Sequence, residues 1–136
     1  MKAKNYLLEI RKLDRKINNK QIELDSLRAL VTSITPTLKE INVQSNGSQD
    51  RLGETMVKII DLQHEINNKI DEYVDRKLEA IRLINKLEDD ISINILIQRY
   101  INYKSWDEIA VSLSYTRQGI IKKHGKALLD FEKLCT

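Results

Sequence analysis

Apolar residues recur along the first part of the chain at alternating spacings of four and three, through Tyr6, Ile10, Leu13, Ile17, Leu24, Leu27, Val31 and Ile34, with Lys20 the one interruption. That alternation is the seam of a heptad repeat and predicts a long helix. From Tyr6 to Ile34 the helix would run about 42 Å at 1.5 Å per residue. It should end near Thr35, because the ring of Pro36 disfavours helical geometry in the residue before it. A second seam follows through Leu52, Met56, Ile59, Gln63, Ile66, Ile70, Tyr73, Lys77, Ala80, Ile84 and Leu87. Two matched seams joined by one connection predict an antiparallel coiled-coil hairpin over residues 1–90, with Ile34 near Leu52 and Tyr6 near Ala80. Ile60, Val74 and Ile81 widen the second seam on one side, enough to receive another helix from this chain or from a second copy. The connection, a loop over residues 35–50, is long for such a hairpin, and its Asn46-Gly47 with neighbouring Ser and Gln favours turns.

Beyond residue 90 the pattern changes, and the stretch from Asn94 to Phe131 has the spacing of a helix-turn-helix. Ser105-Trp106-Asp107-Glu108 is a capping box, in which the serine hydroxyl and the glutamate carboxylate each accept from the other's backbone amide. The helix it opens has Ile109 and Leu113 on its buried face and Ala110 where the next helix must cross closely. Ser114-Tyr115 supplies the turn. Ser114 stands where such turns usually carry Gly, so a residue with a side chain is expected in the left-handed conformation. Thr116 is a second N-cap, and the helix from Arg117 buries Ile120, Ala127, Leu128 and Phe131. Lys123 falls at a normally apolar position, so its stem or His124 must fill the space above Ile120. Gly119 and Gly125 each weaken a helix interior by about 1 kcal/mol relative to Ala; either could serve close approach of the helix to the DNA backbone or to a neighbouring helix, and close helix packing is the expected reason for Gly125.

The other face of this last helix carries Arg117, Gln118, Lys122, Lys123 and Lys126, with no acidic residue between Arg117 and Lys126. A solvated face is the plain explanation of a short charge run. Two caps, a turn and an apolar stripe in one register favour the stronger one, a recognition helix for double-stranded DNA.

Composition adds limits. With 136 residues, one Pro and four Gly, the chain should be all-α and form one or two small units, here 1–90 and 91–136. Residues 1–90 hold 16 basic and 16 acidic side chains and residues 91–136 hold 7 and 4, so the net charge of +3 comes entirely from the second part. No apolar run approaches a membrane span and Met-Lys-Ala-Lys does not read as the start of a signal peptide, so a cytoplasmic protein with no membrane partner is expected. Cys135 is a lone thiol beside the C-terminus, best read as an inert residue. His64 and His124 have no partner at a convincing ligand spacing, so no metal is expected. They read as structural or DNA-facing. With no phosphate-cradling glycine loop, nucleophile elbow or helical His-Glu-x-x-His, neither catalysis nor a cofactor is expected.

Gln98-Arg99-Tyr100, Trp106-Asp107-Glu108-Ile109-Ala110, Thr116-Arg117 and Lys126-Ala127-Leu128 together resemble the promoter-reading C-terminal domain of bacterial sigma factors. In that domain the helix before the motif ends in Arg-Tyr or Arg-Phe, and the recognition helix begins Thr-Arg and ends Lys-Ala-Leu. The chain as a whole, including Asn42-Val43-Gln44-Ser45 and Gly47-Ser48-Gln49-Asp50, resembles a family of small sigma-like proteins of phages and prophages of Gram-positive bacteria. That family is similar to the ArpU and RinA type of late transcriptional regulators. The resemblance implies a phage-encoded activator of late genes and raises a contact of the 35–50 loop with DNA or polymerase beside a mobile, solvated loop.

By position in the motif, Arg117, Gln118 and Lys122 are the candidates for base edges, and Thr116, Lys123 and Lys126 for phosphates. One short recognition helix specifies only a few base pairs, so a second reading head is required. A homodimer or the sigma factor of host RNA polymerase would supply it. Two alternatives remain open: an adaptor that grips polymerase or another phage protein, supported by the apolar Ile121 on the basic helix, and a DNA-binding component of phage packaging.

Overall fold

A computed structural model gives the fold of residues 1–40 and 46–135, with side-chain surroundings for 1–33 and 50–135. All regular structure among the described residues is helical: α1 (Lys2–Glu40), α2 (Asn46–Ile84), α3 (Asp90–Leu96), α4 (Trp106–Leu113) and α5 (Arg117–Cys135). The all-α class expected from the sequence is the one the chain adopts. Among the described residues no helix is long and apolar enough to cross a membrane.

α1 does not end near Thr35. It continues through Pro36 to Glu40, and α2 begins at Asn46, so helix takes both ends of the stretch expected to be a loop. Proline withholds one donor and disfavours, without forbidding, helical geometry before it; that steric bias is outweighed here. What was expected of residues 41–45, and of the Ile34 side chain beside Leu52, lies outside the described residues.

The chain divides within both long helices into two compact units, residues 15–71 and residues 1–14 with 72–136. In the 15–71 unit, Leu24 packs with Leu62 and Ile66, flanked by Leu27 and Ile59. Lys20, the interruption in the first seam, reaches the Glu65 carboxylate at 2.9 Å, and Arg28 donates to the Gln63 side-chain carbonyl at 3.0 Å. Met56 and Ile70 were expected in the second seam and are exposed, whereas Leu62 was not expected and is buried. A helix of 3.6 residues per turn drifts against a seven-residue repeat, so the repeat alone does not settle which of two adjacent positions turns inward.

The other unit draws residues from both sides of the 90/91 boundary. Ala3, Leu7 and Ile10 of α1 share one core with Ala80 and Ile84 of α2, with Leu96 and Tyr100, and with Ala127, Leu128 and Phe131 of α5. Ala3 and Leu7 form a helical row with Ile10 that the heptad reading passed over. The Tyr6 ring stacks on Phe131 with centroids 6.1 Å apart, and the Ala3 amide donates to Glu132 at 3.0 Å. Of the row that widens the second seam, Ile81 packs against this core while Val74 is exposed; in the 15–71 unit Ile60 is exposed too.

A second core joins Ile95, Ile109, Ala110 and Ile120, flanked by Ile91, Trp106 and Leu113. α3 starts on Asp89, whose carboxylate accepts from the Ile91 amide and the Ser92 hydroxyl, both at 3.1 Å. Those two bonds, the Ile91 one first, hold the Asp89 pKa below the ordinary carboxylate value. After Leu96 the helix widens into a π-helical segment, Ile97–Ile101, marked by the Asn102 amide donating to the Ile97 carbonyl at 3.0 Å.

Candidate nucleic-acid interface

The surface in question is the outer side of α5, and its aim depends on the joint before it. Ser105 caps α4 as expected: its hydroxyl accepts from the Glu108 amide at 3.2 Å and Glu108 accepts from the Ser105 amide at 3.3 Å. α4 ends with the Tyr115 amide donating to the Ala110 carbonyl at 2.9 Å and the Ser114 amide to the Val111 carbonyl at 3.3 Å. This is a Schellman closure, and its left-handed site is Ser114, at φ 59° and ψ 40°. A side-chain-bearing residue therefore takes the conformation that glycine would adopt without steric cost. Thr116 then caps α5, its hydroxyl accepting from the Gly119 amide at 3.0 Å. A Cβ on Gly119 would come within 3.1 Å of that hydroxyl, so glycine leaves the cap its room.

The inner side of α5 is fixed by a buried histidine. His124 Nε2 lies 2.6 Å from the Tyr100 hydroxyl, and its ring meets Trp106 edge-on at 4.5 Å. The Arg99 guanidinium covers the indole at 4.2 Å and donates to the Lys104 carbonyl at 3.0 Å. His124 is buried and structural, not DNA-facing, and the Lys123 ammonium turns instead to the Tyr115 ring. Burial first, then the charges of Lys4 and Arg99, lowers its pKa to about 4, so the imidazole is neutral at pH 7. Burial raises Tyr100 to about 12.

Ahead of α4, Tyr103 is a second left-handed residue, at φ 59°. Its hydroxyl lies 2.9 Å from that of Tyr73, to which Lys77 donates at 2.9 Å, and the Arg11 guanidinium sits 5.2 Å over its ring. Burial and the Tyr73 hydrogen bond push the Tyr103 pKa up. These contacts hold a bulky residue in a conformation it would otherwise avoid, and so fix the segment entering α4.

Gln118, Lys122 and Lys126 form one exposed row, four residues apart, on the side of α5 away from Ile120, Ala127 and Phe131. Arg117 opens the neighbouring row, its Nε 3.8 Å from the Asp107 carboxylate with both side chains mostly in solvent. Lys123 does not join them: it is half-buried, with its ammonium 5.2 Å over the Tyr115 ring. Thr116 is occupied as a cap. Lys126 also borders a cleft of about 380 Å³ lined by Lys86, Asp89, Ser92, Asp130 and Lys133 among others. Lys133 in that cleft and the Asp107 carboxylate beside Arg117 also border this surface, and in the sequence Lys133 is marked by its seven-residue spacing from Lys126. Gly125 is not there for close packing. Its missing Cβ faces open space, and the residue is exposed. Cys135 is an exposed free thiol whose pKa is raised, by burial and then by Glu132 and Glu79. Among the described residues no cluster of His, Cys, Asp and Glu is arranged to hold a metal ion.

The chain is thus an all-helical protein whose last helix presents an exposed basic row beside a doubly capped joint. Within that class the chain belongs to the family described as Protein of unknown function (DUF1492), whose model matches residues 30–132. No curated protein and no solved structure matches the chain.

Proposed function

We propose that the protein is a sequence-specific DNA-binding transcriptional regulator, in which α4, its turn and α5 act as a helix-turn-helix of the sigma-factor type carried on an antiparallel coiled-coil hairpin. The observation that carries this reading is the exposed α5 row of Gln118, Lys122 and Lys126 beside Arg117, set by two N-caps, with no acidic residue in the sequence of α5 before Asp130. In the major groove Arg117, Gln118 and Lys122 reach base edges, and Lys126 neutralises a phosphate. The likeness to small phage proteins supports a phage-encoded activator of late genes acting with host RNA polymerase. A second copy or the polymerase sigma factor supplies the second reading head.

One observation favours a second reading, an adaptor that binds polymerase or another protein: Ile121 and Leu129 are exposed on α5 beside the basic row. Purified full-length protein incubated with fragments of the genome that encodes it, followed by sequencing of what is retained, separates the readings. Promoter enrichment supports the regulator and packaging-site enrichment supports a packaging component. Absence of enrichment overturns DNA binding and leaves the adaptor.

A further inference from the structure

Two adjacent rows run along the exposed side of α5 and differ in chemistry. Gln118, Lys122 and Lys126 form a polar, cationic row; Arg117, Ile121 and Gly125 form the other, with every member exposed. Ile121 is 44 % exposed although its neighbour Ile120 is fully buried, so it contributes little to either core. It stands three residues after Gln118 and four after Arg117, on the stretch that leads into the groove under the reading above. One turn further on, Gly125 has open space where a Cβ would be, so nothing inside the chain requires a glycine there. The row is therefore low at Gly125 and apolar at Ile121, between side chains able to bond bases and phosphates.

An isoleucine side chain has no hydrogen-bonding group with which to read a base. The major-groove edge of DNA presents one apolar feature, the C5-methyl of thymine. Resting on the proposed DNA-binding function, we infer that Ile121 is a specificity-determining residue that packs on a thymine methyl next to the base pairs read by Arg117 and Gln118, with Gly125 keeping the helix surface low enough for that approach. Lys122 and Lys126 on the adjoining row supply the charge complementarity that brings α5 to DNA.

The test uses full-length protein and a duplex obtained by repeated selection from random sequence. Each thymine of the selected site is replaced in turn by deoxyuracil, which removes only the methyl group. At one position the wild type should lose affinity about fourfold, the factor that burial of one methyl group is worth. Ile121→Ala should bind the thymine duplex correspondingly less well and show no further loss with deoxyuracil there. Wild-type indifference to every replacement overturns the assignment without any variant, and so does an Ile121→Ala protein that keeps the full deoxyuracil penalty. If no duplex is enriched, the proposed function falls and the inference with it, an outcome distinct from enrichment without methyl dependence.

Discussion

The 15–71 unit and the α3–α5 segment are both built of amphipathic helix, yet different things fix them. In the first, a repeating seam selects a face, and the buried centre is Leu24, Leu62 and Ile66, with Ile22, Leu30, Val57 and Ile60 left in solvent. In the second, each helix starts on a named cap: Asp89, Ser105 and Thr116. A repeat specifies a side of a helix; a cap specifies a residue. The Ser105 and Thr116 caps thus place the exposed side chains of α5 residue by residue.

The largest expected effect sharpens that contrast in stability. Phe131→Ala should cost about 3 to 5 kcal/mol, because its ring is fully buried and its loss leaves a cavity in the core that α5 shares with Ala3, Leu7, Ala80 and Ile84. Leu24→Ala should fall near 2 kcal/mol, the low end for such truncations, because a thin core collapses more easily. Urea unfolding of both variants checks this, and equal losses would break the comparison.

Next in size is a dependence on pH that belongs to the capped segment. His124 has a folded pKa of about 4 against an ordinary 6.5, so between those values the unfolded chain binds a proton that the folded chain does not. Its contribution is complete above pH 6.5 and lost as pH falls toward 4. Urea midpoints at pH 7 and pH 4.5 should separate more for the wild type than for His124→Gln, and identical separations would remove His124 as the cause.

A smaller effect divides the two rows of α5. Arg117→Ala should cost about 1 to 3 kcal/mol on a selected site and relax preference at one base pair. Lys126→Ala should weaken all duplexes nearly alike and reduce the salt slope by about one. Titrations on selected and random duplexes at several salt concentrations measure both, and the distinction fails if the two variants behave alike.

The smallest effect is a gain. Gly125→Ala should stabilise the fold by about 0.5 to 1 kcal/mol, because the added Cβ meets nothing and the helix loses one of its two glycines. Thermal unfolding reads the gain, and a fall in stability would mean that the open space is not open.

Much of the α4–α5 joint was legible because its signals are local. Ser105 with Glu108, Ser114 in the left-handed site, and Thr116 each act within four residues of themselves, and each is found where the spacing puts it. Long-range choices were not legible in the same way. Nothing near Ala3 or Leu7 shows that they meet Phe131, and nothing near Leu62 shows that it turns inward while Met56 and Ile70 do not. Pro36 misled in the opposite sense, since a local bias was read as a stop. On the proposed interface, sequence could group the lysines of α5 but could not show that Lys123 leans back on Tyr115 while Lys122 and Lys126 stay in the open row.

No Phe, Tyr or Trp occurs between Arg15 and Asp71; Tyr6, Tyr73, Tyr100, Tyr103, Trp106, Tyr115 and Phe131 all lie in the unit of residues 1–14 and 72–136. The protein is thus partitioned for spectroscopy without any label. Its fluorescence and near-ultraviolet circular dichroism report one unit alone, whereas the far-ultraviolet signal sums the helices of both. Trp106, the single indole, touches the imidazole of His124, so its emission is a direct optical readout of the joint on which the aim of α5 depends.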